Sequence, residues 1–312
     1  MQCISRVEVE VAALSEHAIS AHRLPTAAMV TADSSNFLVA DSANILALPN
    51  IRAVLQRMEE TIVFRLIERG QFAYNERIYQ PGAFPELKEK EGWNGTWVEW
   101  TLKEIECSHA KLGRWESPDE YPYTAPELLP APLLKPVEYP DLLHPHHINA
   151  TREIFKFYSR EIVPRITRRA DGVQDDGQYG SSAVCDCEAL SALSRRIHYG
   201  MFVSEAKFRE NPAAFIPHIR SRDREALARL ITKPEVEQML LRRVAQKGDV
   251  YGQDLDQVHP VPGGGNRKIQ AQEVVHLYEQ YVIALTKEVE VDYLLERLDG
   301  LSPEQLAKLG GT

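Results

Sequence analysis

Cysteine is scarce in this sequence, and its four residues form no recognisable disulfide or metal-binding pattern. Cys3 and Cys107 stand alone, while Cys185 and Cys187 are only two residues apart. Side chains two positions apart on a helix point to different sides, so Cys185 and Cys187 are poorly placed to chelate a metal together. The spacing argues against a disulfide framework and favours reduced thiols in a protein that is not secreted.

Positive charge and long apolar runs are also lacking. Lysine and arginine number 36 against 45 acidic residues, and the net charge of −9 argues against a general nucleic-acid binder. No window approaches the roughly 18 uninterrupted apolar residues of a membrane span. The chain is long enough to bury a large core, and its 44% hydrophobic content is ordinary for a globular protein.

Residues 1–46 lack the helical periodicity of the rest of the chain. Alanine, serine and threonine are frequent here, and five acidic residues accompany only Arg6 and Arg23. A plastid transit peptide is rich in serine and arginine and poor in acids, so this segment fits that class badly. We interpret 1–46 as a disordered tail or partial leader, followed by one helical domain over 47–312.

Helical periodicity dominates from Asn50 onward. Apolar residues at helical spacing and helix-capping signals predict the following helices: about twenty residues from Asn50, then about 94–115, 151–167, 179–208, 212–220, 222–231, 234–251 and 269–299, with a capping box opening a last helix at Ser302. No strand pattern or internal repeat competes with these helices. The sequence therefore predicts an all-α, single-domain multi-helix bundle.

Two segments interrupt the helices. Residues 117–150 contain eight prolines, which exclude a long helix, and we expect an extended segment docked on the helices through its tyrosines. Its histidines, His144, His146 and His147, lack a carboxylate framework, which disfavours a metal. Residues 252–268 include a run of glycines without the strand-loop-helix setting of a nucleotide site, and we interpret them as a mobile loop.

The stretch from Tyr179 to Phe208 is predicted to form one long helix around which the others are arranged. Its apolar residues could form a buried stripe, and Ser181 or Ser182 is placed to cap its first turn. Arg196 and Lys207 lie eleven residues apart on one face, about 16 Å along the axis. Both could lean toward one small anion, or both could be solvated surface cations.

Other helices carry charged residues whose positions invite a second interpretation. Arg52 lies in a first helical turn, where a cation is unfavourable against the helix dipole. Glu237 follows Pro234, which occupies a tolerated first-turn position. Thr286 and Glu290 are one turn apart on one face. Each of these residues, taken alone, could equally lie on an exposed surface or in a surface ion pair.

Four blocks of sequence resemble the eukaryotic chorismate mutases of plants and fungi. They are IRAVLQRMEETIVFRLIERGQF, HAKLGRWESPDE, YGSSAVCDCEALSALSRRIHYGMFVSEAKF and LTKEVEVDYLLERL, and the likeness extends in order from about residue 48 to 299. The plant branch matches best, through AKLGRW and YGSSAVCD. The resemblance implies an all-helical homodimer that converts chorismate to prephenate without a metal or cofactor, and it favours a plastid over the cytosol.

The resemblance also implies roles for six residues. Arg52 and Arg196 would bind the two substrate carboxylates with help from Thr286, Lys207 and Glu290 would flank the ether oxygen, and Glu237 would orient the substrate hydroxyl. Lys233 stands where the fungal pattern has an asparagine, so it is left out of the catalytic set. An alternative from another class is a catalytically silent helical paralogue that acts as a binding or regulatory partner.

A second site for an aromatic amino acid is implied at the dimer interface. Its matching residues are Gly113, Arg114, Gly180, Ser181 and Val184, and its effectors would be tyrosine, phenylalanine and tryptophan. Arg114 could bind an effector carboxylate, and the free N–H groups at the start of the long helix favour an anion. The two glycines could instead be ordinary helix punctuation in an unregulated enzyme.

Overall fold

Helical spacing of apolar residues dominates the sequence, and helices are what those residues form. The computed structural model describes Phe37 and residues 41–167, 172–253 and 268–310. Within these ranges there are α-helices, a few shorter helical turns and no β-strand. The predicted all-α class is confirmed.

The helices are numbered in chain order. The first seven are α1 (Ser42–Ile45), α2 (Leu48–Arg69), α3 (Pro85–Glu91), α4 (Trp97–Lys111), α5 (Thr151–Phe157), α6 (Val163–Ile166) and α7 (Tyr179–His198). The next seven are α8 (Gly200–Glu210), α9 (Pro212–Arg220), α10 (Arg224–Ile231), α11 (Pro234–Tyr251), α12 (Ala271–Leu277), α13 (Ile283–Glu296) and α14 (Pro303–Gly310).

Local sequence signals explain several helix ends. Thr96 and Glu99 form a reciprocal capping box at the start of α4, and Gly113 follows that helix with a φ of 77°, which glycine adopts at little cost. The predicted capping box of Ser302 and Gln305 is confirmed by two reciprocal hydrogen bonds of 2.8 and 3.2 Å. Pro164 follows a π-helical turn that joins α5 to α6, where its missing N–H breaks the regular ladder.

The prediction of a single helix from Tyr179 to Phe208 is wrong, because this stretch forms two helices, α7 and α8. The turn at Tyr199 separates α7 from α8, and Phe202 N–H bonds to the Tyr199 carbonyl three residues earlier. The predicted serine cap is also wrong. The helix begins earlier, at Tyr179, and the buried Ser182 hydroxyl instead accepts a hydrogen bond of 2.9 Å from Asn75.

Three clusters of buried apolar side chains hold the helices together. The largest joins α2, α4, α5, α7 and α12, and a second packs α1 and α2 against α8. The third joins α8, α9, α10 and α13. As a result α2, α7, α8 and α13, which carry most of the predicted catalytic residues, are packed against one another.

An ion pair buried from solvent links α2 to α7. Arg69 Nε lies 2.7 Å from Asp186 Oδ1, and both side chains have no exposed surface. Tyr79 and Tyr158 donate hydrogen bonds of 2.6 and 2.8 Å to the same carboxylate. Burial raises the pKa of Asp186, but Arg69 and the two hydroxyl donors oppose that shift, so the pair is satisfied on both sides.

The proline-rich segment 117–150 lies on the helices, as predicted. Tyr121 stacks on His198 with ring centroids 4.1 Å apart, and the Tyr123 hydroxyl donates a 2.7 Å hydrogen bond to the Leu190 carbonyl. The buried Glu106 carboxylate of α4 accepts hydrogen bonds from the N–H groups of Tyr123 and Thr124. These bonds satisfy backbone groups that an extended segment would otherwise bury without partners.

Two sequence predictions fall largely outside the described residues. Of the segment 1–46, the structure describes Phe37 and residues 41–46, where α1 buries Ile45, and the tail or partial leader stays a prediction. Most of the predicted loop 252–268, residues 254–267, lies outside them as well. No helix among the described residues is long and apolar enough to cross a membrane.

His198 is a buried, neutral histidine at the end of α7. Its Nε2 accepts a 2.9 Å hydrogen bond from the Ala150 N–H, and its Nδ1 lies 2.8 Å from the Ser194 carbonyl. One nitrogen must accept and the other must donate, so the neutral tautomer with hydrogen on Nδ1 is selected. Burial lowers the pKa of His198 to about 4.

We predict that His198 makes the folding stability fall in mild acid. Its pKa is about 6.5 in the unfolded chain and about 4 when folded, so the unfolded state binds the extra proton between these values. The contribution of His198 to the free energy of unfolding is complete above pH 6.5 and is lost as the pH falls toward 4. This loss amounts to about 3 kcal/mol. Urea unfolding from pH 7 to 4 should therefore show wild type losing more stability than His198→Asn.

The control substitution is His147→Asn, because the His147 side chain is 98% exposed. Parallel stability curves for wild type and His198→Asn would contradict the prediction.

Candidate active site

Arg196 is a buried guanidinium that forms no ion pair with any residue the structure describes. It lies in the last turn of α7 with 4% of its surface exposed, and its Nε and Nη1 have no hydrogen-bond partner among the described residues. A buried cation without a partner is costly, and proteins seldom keep one without a use. An anionic ligand would satisfy both nitrogen atoms.

Lys207 on α8 is held by a backbone carbonyl and surrounded by other charges. Its Nζ donates a hydrogen bond to the carbonyl of Ile231 at the end of α10. Burial lowers the pKa of Lys207; Glu290 opposes the shift, while Lys233 and Arg52 add to it. These three side chains, from α13, the α11 cap and α2, therefore lie within electrostatic range of the Lys207 ammonium.

Glu290 is a carboxyl that titrates near neutral pH. It is 8% exposed on α13, and burial raises its pKa to about 7, while Lys207, Arg196 and Lys287 act in the opposite direction. Burial disfavours the ionised form more than the surrounding cations favour it. At neutral pH a large share of the carboxyl is protonated and can donate a hydrogen bond.

Gly200 allows α13 to approach the start of α8 closely. A Cβ at this position would lie 2.8 Å from Thr286 Cγ2 and 3.0 Å from Glu290 Cγ, which is closer than packed carbon atoms come. The Ser204 hydroxyl, one turn later, donates a 3.0 Å hydrogen bond to the Glu290 carbonyl. The glycine thus sets how near Glu290 lies to the helices that carry Arg196 and Lys207.

Glu237 and Thr286 complete the set but are occupied by other groups of the chain. Glu237, in the first turn of α11, lies 2.8 Å from Lys287 Nζ, and it adds to the upward shift in the pKa of Glu290. The Thr286 hydroxyl donates a 2.6 Å hydrogen bond to the Val282 carbonyl. To contact a substrate carboxylate, the hydroxyl would have to turn away from that carbonyl.

The six predicted catalytic residues are brought together from five helices, α2, α7, α8, α11 and α13. Arg196, Lys207 and Glu237 act electrostatically on Glu290, Arg52 acts on Lys207, and Thr286 meets Glu290 at Gly200. Such a cluster has cations for a dicarboxylate and a protonatable carboxyl beside them. It is a site for binding an anion and stabilising developing negative charge.

The predicted effector residues lie at the other end of α7 and beside α4. Gly180 and Ser181 are exposed in the first turn of α7, where N–H groups have no intrahelical partner. Arg114 and Val184 line a cavity of about 400 Å³ between α2, α4 and α7. Arg114 already contacts Glu120 and Ser191, each at 3.1 Å.

Comparison with known proteins identifies the family of this chain. Residues 178–291 match the family model of type II chorismate mutases. The chloroplastic chorismate mutase 1 of Zea mays is 44% identical over 264 residues, covering 83% of this chain and 81% of that protein. The chain belongs to the chorismate mutase family. Members of this family are isomerases, and the resemblance seen in the sequence is confirmed.

Solved structures of chorismate mutases share the fold. The enzyme of Candida albicans, solved in complex with L-Trp, superposes with a TM-score of 0.78 at 37% identity, covering 86% of this chain and 98% of that one. AtCM1, solved with tyrosine in its allosteric site, gives 0.71 at 42% identity and covers 83% and 99% of the two chains.

Two residues near the candidate active site, Lys287 and Tyr278, are not singled out by the sequence analysis. Lys287 pairs with Glu237, and the fully buried Tyr278 has a hydroxyl without a partner among the described residues, within electrostatic range of Arg196. Lys233, which the sequence analysis leaves out of the catalytic set because the fungal pattern has an asparagine there, lies within electrostatic range of Lys207. Tyr278 occupies an apolar stripe, so its spacing indicates only a core position.

We predict that the buried Arg196 and the half-buried Lys207 are both required for turnover. Lys207→Ala should lower kcat by about 10²–10³, because it removes a donor aimed at developing charge. Arg196→Ala should abolish measurable turnover, because the substrate's folded conformation would also be lost. Steady-state rates of prephenate formation test both variants.

Lys88→Ala is the control, because Lys88 is exposed on α3, outside the helices that carry the site. Thermal unfolding should show that all three variants are folded. A folded variant of either cation with near wild-type kcat would remove it from the site.

Proposed function

We propose that this chain catalyses the rearrangement of chorismate to prephenate, at the entry to phenylalanine and tyrosine synthesis. The proposal rests mainly on Arg196, whose buried Nε and Nη1 have no partner in the described part of the chain and which is grouped with Lys207 and a protonatable Glu290. Chorismate carries two carboxylates and an ether oxygen, and the cluster offers complementary groups for all three. Family membership supports the same activity.

The reaction needs positioning and electrostatics rather than a nucleophile. It is a unimolecular Claisen rearrangement in which the ether C–O bond breaks as a C–C bond forms. Arg52 and Arg196 hold the carboxylates, which fixes the substrate in its folded, reactive conformer. Even the low end of enzymatic acceleration, about 8 kcal/mol, has to come from this positioning and from stabilisation of charge on the ether oxygen.

Lys207 and Glu290 act on the ether oxygen. Lys207 supplies a positive charge, and its hydrogen bond to the Ile231 carbonyl leaves its other ammonium hydrogens free to donate. Glu290 helps only when it is protonated, because an ionised carboxylate would repel the oxygen that gains negative charge. The raised pKa of about 7 keeps the acid form available.

Glu237 and Thr286 complete the binding of the substrate. Glu237 accepts a hydrogen bond from the substrate hydroxyl, and Lys287 holds its carboxylate in place at 2.8 Å. Thr286 assists at a carboxylate after its hydroxyl leaves the Val282 carbonyl. No step of this mechanism calls for a metal or cofactor.

Prephenate formation by the purified chain is the direct test. Chorismate should be consumed and prephenate should appear in equal amount, and the Arg196→Ala variant should show neither change. The alternative, a silent helical paralogue that serves as a binding partner, predicts no turnover by the wild type. That outcome would overturn the proposed activity.

Regulation by aromatic amino acids is part of the proposal. We propose a homodimer that binds tyrosine, phenylalanine or tryptophan at Gly113, Arg114, Gly180, Ser181 and Val184. The relatives solved with tryptophan or tyrosine support this site, as does the position of Arg114 at a cavity. Helix α7 runs from this site to Arg196, which gives effector binding a physical route to the catalytic residues.

A plastid location fits the relatives better than the cytosol. Several plant relatives are described as chloroplastic, among them those of Zea mays and Petunia hybrida. Imaging of the full chain fused at its C-terminus to a fluorescent protein distinguishes the two compartments.

We predict that Glu290 governs the alkaline side of the pH profile. Activity should fall as pH rises through about 7, because the deprotonated carboxylate loses its donor and repels the ether oxygen. Glu290→Gln keeps a donor that does not titrate, so its kcat should stay nearly level from pH 6 to 9. An alkaline limb that is the same in both proteins would show that another group controls it.

We predict that the effector response depends on Gly180 and Arg114. Effector coupling is typically about 1–3 kcal/mol, which is a change of roughly 5–150-fold in effector-dependent affinity. A Cβ added at Gly180 would meet no other atom within 4 Å, so Gly180→Pro should fold while it alters the N–H groups of the first turn of α7.

Initial rates against chorismate, with and without each amino acid, test this prediction in wild type, Gly180→Pro and Arg114→Ala. The response should weaken in both variants and persist in Lys88→Ala. Wild-type rates indifferent to all three amino acids would refute the regulatory proposal, and a full response in both variants would place the effector elsewhere.

A further inference from the structure

Lys233 stands between two parts of the active site along the backbone. Two residues before it, the Ile231 carbonyl accepts the hydrogen bond from Lys207. One turn after it lies Glu237, whose N–H bonds to the Lys233 carbonyl at 3.3 Å. The short link between α10 and α11 therefore fixes the Lys233 backbone beside the cluster.

The Lys233 side chain is a free cation at this position. It is exposed, and it makes no ion pair with any residue in the described ranges. The positive charges of Lys233 and Arg52 both disfavour the protonated form of Lys207. Three cations thus converge from α2, α8 and the α10–α11 link in a chain whose net charge is −9. Mutual repulsion of this kind is relieved when an anion binds between the cations.

The structure of chorismate shows which of its carboxylates could bind between these cations. In chorismate, the carbon of the enolpyruvyl carboxylate is only two bonds from the ether oxygen. If Lys207 contacts the ether oxygen, that carboxylate must lie within a few ångströms of Lys207. The carbon of the ring carboxylate is four bonds from the ether oxygen, so a contact between Lys207 and that oxygen constrains its position less.

We propose that Lys233 binds the enolpyruvyl carboxylate of chorismate, together with Arg52, at the open side of the active site. This inference rests on the proposed function and adds a substrate-binding residue to it. The carboxylate is present before and after the ether bond breaks. Lys233 therefore strengthens binding of ground state and transition state alike, and its loss raises KM and leaves kcat unchanged.

The test compares kinetics of wild type, Lys233→Gln, Lys233→Arg and Lys88→Gln. For a partly solvated charge contact, Lys233→Gln should raise KM for chorismate about 5–20-fold with kcat within about twofold. Lys233→Arg retains the charge and should stay near wild type. Lys88→Gln removes an exposed lysine elsewhere and should change neither constant.

A modified substrate shows which carboxylate is bound. With the methyl ester of the enolpyruvyl carboxyl group, wild type and Lys233→Gln should have the same KM, because the partner charge has been removed from the substrate. A KM penalty that persists with the ester would overturn the assignment to this carboxylate. An unchanged KM for chorismate in Lys233→Gln would overturn the inference altogether.

Failure of the proposed function has a different signature. A wild type that forms no prephenate overturns the activity and, with it, this inference. A wild type that is active while Lys233→Gln has an unchanged KM overturns the inference and leaves the activity in place. Matching unfolding temperatures of the variants show that the kinetic constants compare folded proteins.

Discussion

The buried ion pair of Arg69 and Asp186 fixes α7 against α2, and the geometry of the site follows from it. These helices carry Arg196 and Arg52, whose relative position depends on how α7 is placed along α2. Apolar contacts alone tolerate sliding, whereas a 2.7 Å bond between two side chains with no exposed surface permits one register. Two tyrosine hydroxyls complete the carboxylate's hydrogen bonds, so the pair need not lose stability relative to an apolar core. We infer that its main contribution is specificity of packing.

The site itself balances burial against charge. Desolvation pushes Glu290 toward its neutral acid, while Lys207 and Arg196 push it toward the carboxylate. The outcome near pH 7 means that one carboxyl is poised between donating and accepting a hydrogen bond. At Lys207, burial and the neighbouring cations act together against the charged form, and Glu290 opposes them. A bound dianion would change both balances by adding negative charge between the cations.

Several polar groups in the site are unsatisfied or engaged with the backbone. Arg196 has two buried nitrogen atoms without partners among the described residues, whereas Lys207 and Thr286 bond to the carbonyls of Ile231 and Val282. Leaving a buried guanidinium unpaired costs stability, and a fold that retains it is expected to recover that free energy on binding. Gly200 contributes differently, because its missing side chain lets Thr286 and Glu290 approach α8. The site thus depends on the missing side chain at Gly200 as well as on its charged residues.

The helices and the candidate residues could be predicted from the amino-acid sequence. Helical spacing and proline positions located most elements, because local pattern is a property of the chain. The family blocks contain the candidates Arg52, Arg196, Lys207, Thr286 and Glu290, and the wider resemblance added Glu237. The break at Tyr199 could not be predicted, since that turn accompanies the approach of α13 to Gly200. The balance that sets the pKa of Glu290, the carbonyl that binds Lys207 and the position of Lys233 beside it are seen only in the folded chain. A pKa depends on burial and on charges from other helices, and neither can be read from residues distant in sequence until the chain has folded.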